Sequence, residues 1–216
     1  NLPQGKNLVG AFHQPQLVLI DPLTLTTLPA RQLRCGLAEC VKHAVIRDAE
    51  LFDWTREHAE RLLGLDVPVV SELIERNVAI KAAVVMADER EAGERAHLNF
   101  GHTFGHAIES TVGYGVIHHG EAVSLGMVAA AALSAKLGIC GEDVVERLVS
   151  LLETLGLPTS SGKLADPRVL LAAMQKDKKV QSGKLRLIVP ERIGAVRIID
   201  DAPAAAIVEA WGAVRG

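Results

Sequence analysis

The stretch LNFGHTFGHAIE, residues 98–109, sets His102 and His106 four residues apart, with Gly101 and Gly105 at the same interval beside them. Two imidazoles one helical turn apart can share a metal ion, divide a metal task and an acid–base task between them, or lie on a wetted surface. The pattern extends in both directions. Glu91, Arg95, Asn99, His102, His106 and Glu109 are spaced 4, 4, 3, 4 and 3, so on an α-helix all six fall in one narrow stripe. Leu98, Phe100, Phe104, Ala107 and Ile108 cover the other faces. Bulk water is the commoner reason for such a stripe; a polar cavity is the other. Two features favour the cavity. Solvated faces are built from Lys and Glu, whereas this one holds Asn and two His. Gly101 and Gly105 each cost about 1 kcal/mol relative to Ala inside a helix. Such a cost makes sense where another chain segment comes close. Gly93 interrupts the helical pattern before Arg95, which sets Glu91 apart from the other five.

HHGE (118–121) adds two more histidines, so four of the eight lie between 102 and 119. Imidazole suits zinc, cobalt or iron, and a catalytic site takes three protein ligands with one position open. A carboxylate could complete the set. Glu39 in GLAECVKHA sits among Leu37, Ala38, Cys40 and Val41, where an acid needs a partner. Lys42, three residues on, could equally be that partner, so spacing alone leaves the ligands open. Lys81 beside Ile80, and the DKK run at 177–179, are of a kind most often solvated. Cations gathered near a metal would suit a substrate bearing phosphate or carboxylate. The residues by themselves point to a metal-dependent site for a small anion.

These groups must be carried by helices. Leu33, Leu37, Cys40, Val41 and Ala44 predict a helix from Pro29 to about Ile46. Asp48 is placed to cap a second helix running through Leu63. A long helix is expected from Val67 to about Asp88, another through the opening motif, and an Ala-rich, deeply buried one over 121–137. Glu142–Leu155, Pro167–Gln175 and 202–214 complete the helical set. KLRLIVP and GAVRIID read as a hairpin, and PQLVLID (15–21) as a short buried strand after a Gly-bearing loop. The expected class is mainly α with a few short strands.

Composition agrees. Of the 216 residues 49% are hydrophobic and only 3% aromatic, which predicts an aliphatic core. The net charge of −3, without a basic run, argues against a nucleic-acid binder. The 3 cysteines, with no CxxC, fit a reduced cytoplasmic compartment. No apolar run suggests a membrane span.

GKNLVGAFHQPQ (5–16), GLAECVKHAVI (36–46), ADEREAGERAHLNFGHTFGHAIE (87–109), HGEAVSLGM (119–127) and DKKV (177–180), in this order, resemble the 3-dehydroquinate synthase family. The resemblance implies a two-domain enzyme with an N-terminal NAD-binding domain and a helical C-terminal metal-binding domain. This chain would start just after the family's GGKT stretch. Residues 1–20 would then end the connection from the NAD domain, and 21–216 would form the helical metal- and substrate-binding domain. Most of the NAD site would lie outside the chain, which alone should not turn over. The implied reaction takes 3-deoxy-D-arabino-heptulosonate 7-phosphate to 3-dehydroquinate and phosphate, with NAD recycled.

By motif, the resemblance makes Glu39, His102 and His119 ligands of zinc or cobalt. His106 becomes a non-ligand catalytic residue near the substrate phosphate, and Lys42 contacts substrate beside the metal. Lys81 and Arg95 take the carboxylate. Asn7, Asn99 and Lys178 (preferred to Lys179) take the phosphate side, and Lys6 and Glu91 join the active site. His118 reads as a loop histidine. The implied partner is a small phosphorylated sugar acid, with no nucleic acid or membrane, in a cytoplasmic homodimer at full length. Neighbouring alternatives are other sugar-phosphate cyclases, such as 2-deoxy-scyllo-inosose synthase or the valiolone-forming enzymes, and iron-type NAD-dependent alcohol dehydrogenases. Valiolone-forming enzymes tend to lose the second histidine of the motif, which His106 retains.

Overall fold

Asp21 caps the first helical turn. Its carboxylate accepts from the Leu23 amide at 2.9 Å and starts a 3-10 turn, Pro22–Thr27. The computed structural model describes residues 9–10, 13, 15–88, 93–113, 115–176, 180–181 and 184–216. Helix α1 (Ala30–Arg47) follows, burying Leu37, Ala38, Val41, Ala44 and Val45 along its apolar side. Asp48 accepts from the Leu51 amide at 2.8 Å and caps α2 (Ala49–Glu57). The helix expected from here to Leu63 breaks at His58, whose ring stacks on Trp54 with centroids 4.4 Å apart. It resumes as α3 (Ala59–Leu63), and Asp66 then caps the long α4 (Val67–Ala87).

The stripe from 91 to 109 is not one helix. Glu94–Asn99 form a 3-10 turn, and Gly101, at φ +75°, reverses the chain before α5 (His102–Val112) begins. Only glycine adopts that backbone without strain. Gly101 is therefore a cap rather than an interior residue, and His102 opens a new helix instead of continuing an old one. The close approach inferred from the two glycines is present. A Cβ on Gly101 would stand 2.7 Å from Met127 Cγ, and one on Gly105 3.1 Å from the Ala122 carbonyl oxygen.

Both contacts are to α6 (His119–Lys136), the helix around which the domain is built. From Ala122 to Ala131 every residue of α6 is buried. It is enclosed by α1, α5, α7 (Glu142–Thr154), α9 (Ala204–Ala210) and a strand of the C-terminal hairpin. A helix apolar on all sides has no face to offer water, so the Ala-rich run dictates this central position. Helix α8 (Pro167–Lys176) packs against α5 and α9. Two short strands, β1 (Val180–Gln181) and β2 (Lys184–Leu185), pair antiparallel. β3 (Leu187–Arg192) and β4 (Ala195–Ile199) form the expected hairpin, with a bulge between Pro190 and Arg192. The terminal segment is α9 followed by a 3-10 turn, Trp211–Val214, rather than one helix over 202–214.

The core is aliphatic, with Phe52, Phe100, Phe104 and Trp211 as its large fixed points. One expectation fails outright. PQLVLID is neither a strand nor buried: Leu17 is 73% and Leu19 86% exposed. A buried strand needs neighbours to cover its faces and satisfy its amides, and no described strand pairs with it. Among the described residues, no helix is long and apolar enough to cross a membrane.

Candidate metal centre

Three elements converge at one point. α1 brings Glu39, the start of α5 brings His102, and the start of α6 brings His119. Glu39 Oε1 lies 3.5 Å from His102 Nε2 and 3.4 Å from His119 Nε2. One ligand atom from each residue falls within 4.8 Å of the others, and this is the one such trio among the described residues. Ligands about 2.1 Å from a tetrahedral ion stand about 3.4 Å apart, so the spacing fits a zinc-sized cation.

The outer hydrogen bonds orient both imidazoles. His102 Nδ1 is 3.1 Å from the Phe100 carbonyl, which can only accept. His119 Nδ1 is 3.2 Å from Glu109 Oε2. Each ring therefore carries a proton on Nδ1 and turns Nε2 toward Glu39, the usual way an imidazole is held for a metal.

Electrostatics separates the two histidines. Burial, aided by the Lys42 charge, pushes His102 down to about 4, leaving it neutral at pH 7. Hydrogen bonds to Glu109 and Glu39 push His119 up to about 9. In Glu39, burial raises the carboxyl, but the His119 hydrogen bond and the Lys42 charge outweigh it and hold the group ionised. The His119 shift does not argue against ligation. Two carboxylates that draw a proton to the imidazole also draw a cation, and the two compete for Nε2.

Lys42 is buried and ion-paired with Glu39, as the simpler of its two sequence readings expects, and this sets a cation beside the trio. Burial pushes Lys42 down, opposed by Glu39. His106 sits one turn along α5, its ring 5.7 Å from that of His102 and 6.3 Å from that of His119. It also lines a cleft of about 520 Å³ between α5 and α8, with Ser110, Thr111 and Lys176. Lys81 is exposed on α4, near enough for its charge to act on Lys42. Arg95 and Asn99 lie half-buried on the 3-10 turn that leads to His102. Lys6, Asn7, Glu91, Lys178 and Lys179 lie outside the described residues. His118 is not in the trio; it precedes the first turn of α6.

Sequence reasoning gave no role to several residues that shape the site. Asp88 Oδ2 accepts from the amides of Gly93 at 2.7 Å and Arg95 at 3.0 Å, tying down the segment that carries Arg95. Glu109 belonged to the stripe, yet nothing in the spacing linked it to His119. Arg31 and Glu121 pair across 90 residues and left no local signal.

The helical domain, with two imidazoles and a carboxylate gathered from three helices, has the fold of the sugar-phosphate cyclases. The chain is a member of the 3-dehydroquinate synthase family. The family model for 3-dehydroquinate synthase C-terminal matches residues 36–180, and that for 3-dehydroquinate synthase N-terminal matches residues 1–35. The chain is 46% identical over 216 residues to a 3-dehydroquinate synthase of a Synechococcus species, covering 99% of itself and 59% of the relative. It is 50% identical over 201 residues to that of Shewanella pealeana, covering 93% of itself and 56% of the relative. The chain thus spans less than two thirds of these relatives. Among solved structures, 2-epi-5-epi-valiolone synthase from Streptomyces hygroscopicus with NAD+ and Zn2+ bound superposes with a TM-score of 0.87 at 30% identity, over 97% of this chain and 58% of that one. 2-Deoxy-scyllo-inosose synthase complexed with carbaglucose-6-phosphate, NAD+ and Co2+ gives 0.81 at 25% identity, over 97% and 59%.

Proposed function

We propose that this chain is the metal- and substrate-binding part of an enzyme that converts 3-deoxy-D-arabino-heptulosonate 7-phosphate to 3-dehydroquinate and phosphate. The observation that carries the reading is the trio of Glu39, His102 and His119, each imidazole turned by an outer partner to present Nε2. These three hold a zinc or cobalt ion. When bound, the metal supplies a Lewis acid for substrate hydroxyls, and NAD a transient hydride acceptor.

The chain's own residues bind and orient. Lys42, held against Glu39, meets a substrate oxygen beside the metal. Lys81 and Arg95 take the carboxylate. His106 and Asn99 serve the phosphate side; the family resemblance assigns Asn7 and Lys178 to the same task and Lys6 and Glu91 to the active site. NAD is assigned to a nucleotide-binding domain joined through residues 1–20, with 21–216 as the helical metal- and substrate-binding domain. The relatives are considerably longer than the chain, and the family models change over between residues 35 and 36. The full-length enzyme is read as a cytoplasmic homodimer.

Identity to 3-dehydroquinate synthases of 46–50%, against 25–30% to the cyclases of known structure, favours this substrate over theirs. The test joins the chain to an upstream NAD domain and measures phosphate release from the heptulosonate phosphate with metal and NAD present. Catalytic release without net NADH supports the reading. No release refutes it, and stoichiometric NAD consumption marks a dehydrogenase instead.

A further inference from the structure

One stripe of α1 meets the first turn of α6 residue for residue. At about 100° per residue, Arg31, Cys35, Glu39 and Lys42 fall within about 80° of one another on α1. Arg31 faces Glu121, donating from Nε to Oε1 at 2.6 Å and from Nη2 to Oε2 at 2.7 Å. Cys35 faces Gly120, where an added Cβ would stand 2.3 Å from the Cys35 Cα. Glu39 faces His119. Going down α1, the chain reads α6 as 121, 120, 119.

Further bonds pin the same corner. Glu121 Oε2 accepts from the His118 amide at 2.8 Å. The His118 ring lies 3.1 Å from Gln32 Nε2, and Arg31 Nη2 is 3.3 Å from the Val116 carbonyl. The α6 turn that carries His119 is therefore tied to α1 by a two-point ion pair two residues beyond the ligand and by a ring contact one residue before it.

We propose that Arg31 and Glu121 form a positioning clamp that sets the register of α1 against α6 and so holds His119 Nε2 beside Glu39 Oε1 for a shared divalent cation. The clamp rests on the metal-centre reading above. Its physical basis is the bidentate geometry. A guanidinium and a carboxylate joined at two points fix orientation as well as distance, which a single contact does not. His119 has little burial to hold it, its side chain being 49% exposed, whereas His102 is 14% exposed and packed at the head of α5. The more exposed ligand is the one that needs an external anchor. Arg31 and Glu121 touch no metal; they act through His119.

The test is Co2+ binding to the full chain, followed by competition with a chromogenic chelator and by the visible absorption of the bound ion. Arg31→Met and Glu121→Gln should each weaken Co2+ binding by about 10- to 100-fold, as outer partners of ligands do, and alter the absorption band. Glu121→Gln retains an acceptor for the His118 amide, so helix content by circular dichroism should stay unchanged. The double variant should be no weaker than the worse single, since both break one device. Arg147→Met, which breaks an ion pair with Asp53 away from the centre, should leave Co2+ affinity and spectrum unaltered. Wild-type affinity and spectrum in Arg31→Met and Glu121→Gln would overturn the clamp alone, as would an equal loss in Arg147→Met. No Co2+ binding by the unsubstituted chain would overturn the metal centre itself, and the clamp with it.

Discussion

Helix α6 meets its neighbours through two contrasting seams. Against α5 the contact is backbone on backbone. A Cβ on Gly126 would stand 2.0 Å from the Gly101 carbonyl oxygen, and Gly105 lies against Ala122. Against α1, at its first turn, the contact is a row of charged and imidazole groups ending in the candidate metal centre. The first seam is buried and leaves no room for an added Cβ at Gly101 or Gly126. The second is partly exposed and holds groups whose charges depend on one another. The domain thus places a close-packed seam and a polar one along a single helix.

The hardest test of that separation is Gly126→Val. Its side chain would meet the α5 backbone, which cannot rotate away, so a loss above about 3 kcal/mol is expected. Thermal melting of the metal-free chain checks this. A near-normal melting temperature would mean the glycine seam is not tight.

At the candidate metal centre where the polar seam ends, His102→Ala should weaken metal binding by more than about 100-fold, beyond the effect of any outer partner. His106→Ala should retain the metal and, in the full-length enzyme, lose turnover. Metal analysis of both variants divides the pair, and equal metal loss would show that His106 is a ligand.

Acid should act where α1 meets α4, outside both seams. Burial, then the Lys42 charge, pushes His43 from an ordinary 6.5 to about 4, and its Nδ1 donates to Asn77 Oδ1 at 2.9 Å. Between those values the unfolded chain binds the extra proton. The stabilisation is therefore complete above pH 6.5 and is lost as the pH falls toward 4, by roughly 2 kcal/mol after allowance for partial exposure. Denaturant titrations at a series of pH values should show this slope in the metal-free protein, and His43→Gln should flatten it.

The smallest effect is expected far along α6, at Ser134. Its buried hydroxyl donates to the Pro190 carbonyl and ties the helix to β3. Ser134→Ala removes that hydrogen bond and should cost about 1 kcal/mol, with metal affinity unchanged. A change in metal affinity would mean that the two ends of α6 are coupled.

Much of this was legible in the chain. The Ala-rich run at 121–137 can only be a central helix, and Asp48 can be read as a cap. Gly101 and Gly105 announce a close neighbour without naming it. Other features were illegible because they depend on turns. The regular spacing from Glu91 to Glu109 imitates a continuous helix, yet one left-handed glycine divides it. Leu17 to Ile20 have the composition of a buried strand, and only burial by other parts of a structure can make them one.

The sequence by itself determined the helices, the aliphatic core and the short list of groups able to bind a metal, because periodicity and residue chemistry are local properties. Only the tertiary structure decided which groups meet. Glu39, His102 and His119 come from three helices, and Arg31 finds Glu121 across 90 residues. Such distances are closed by packing, with α6 at the centre, and the spacing within one segment does not name the segment it packs against.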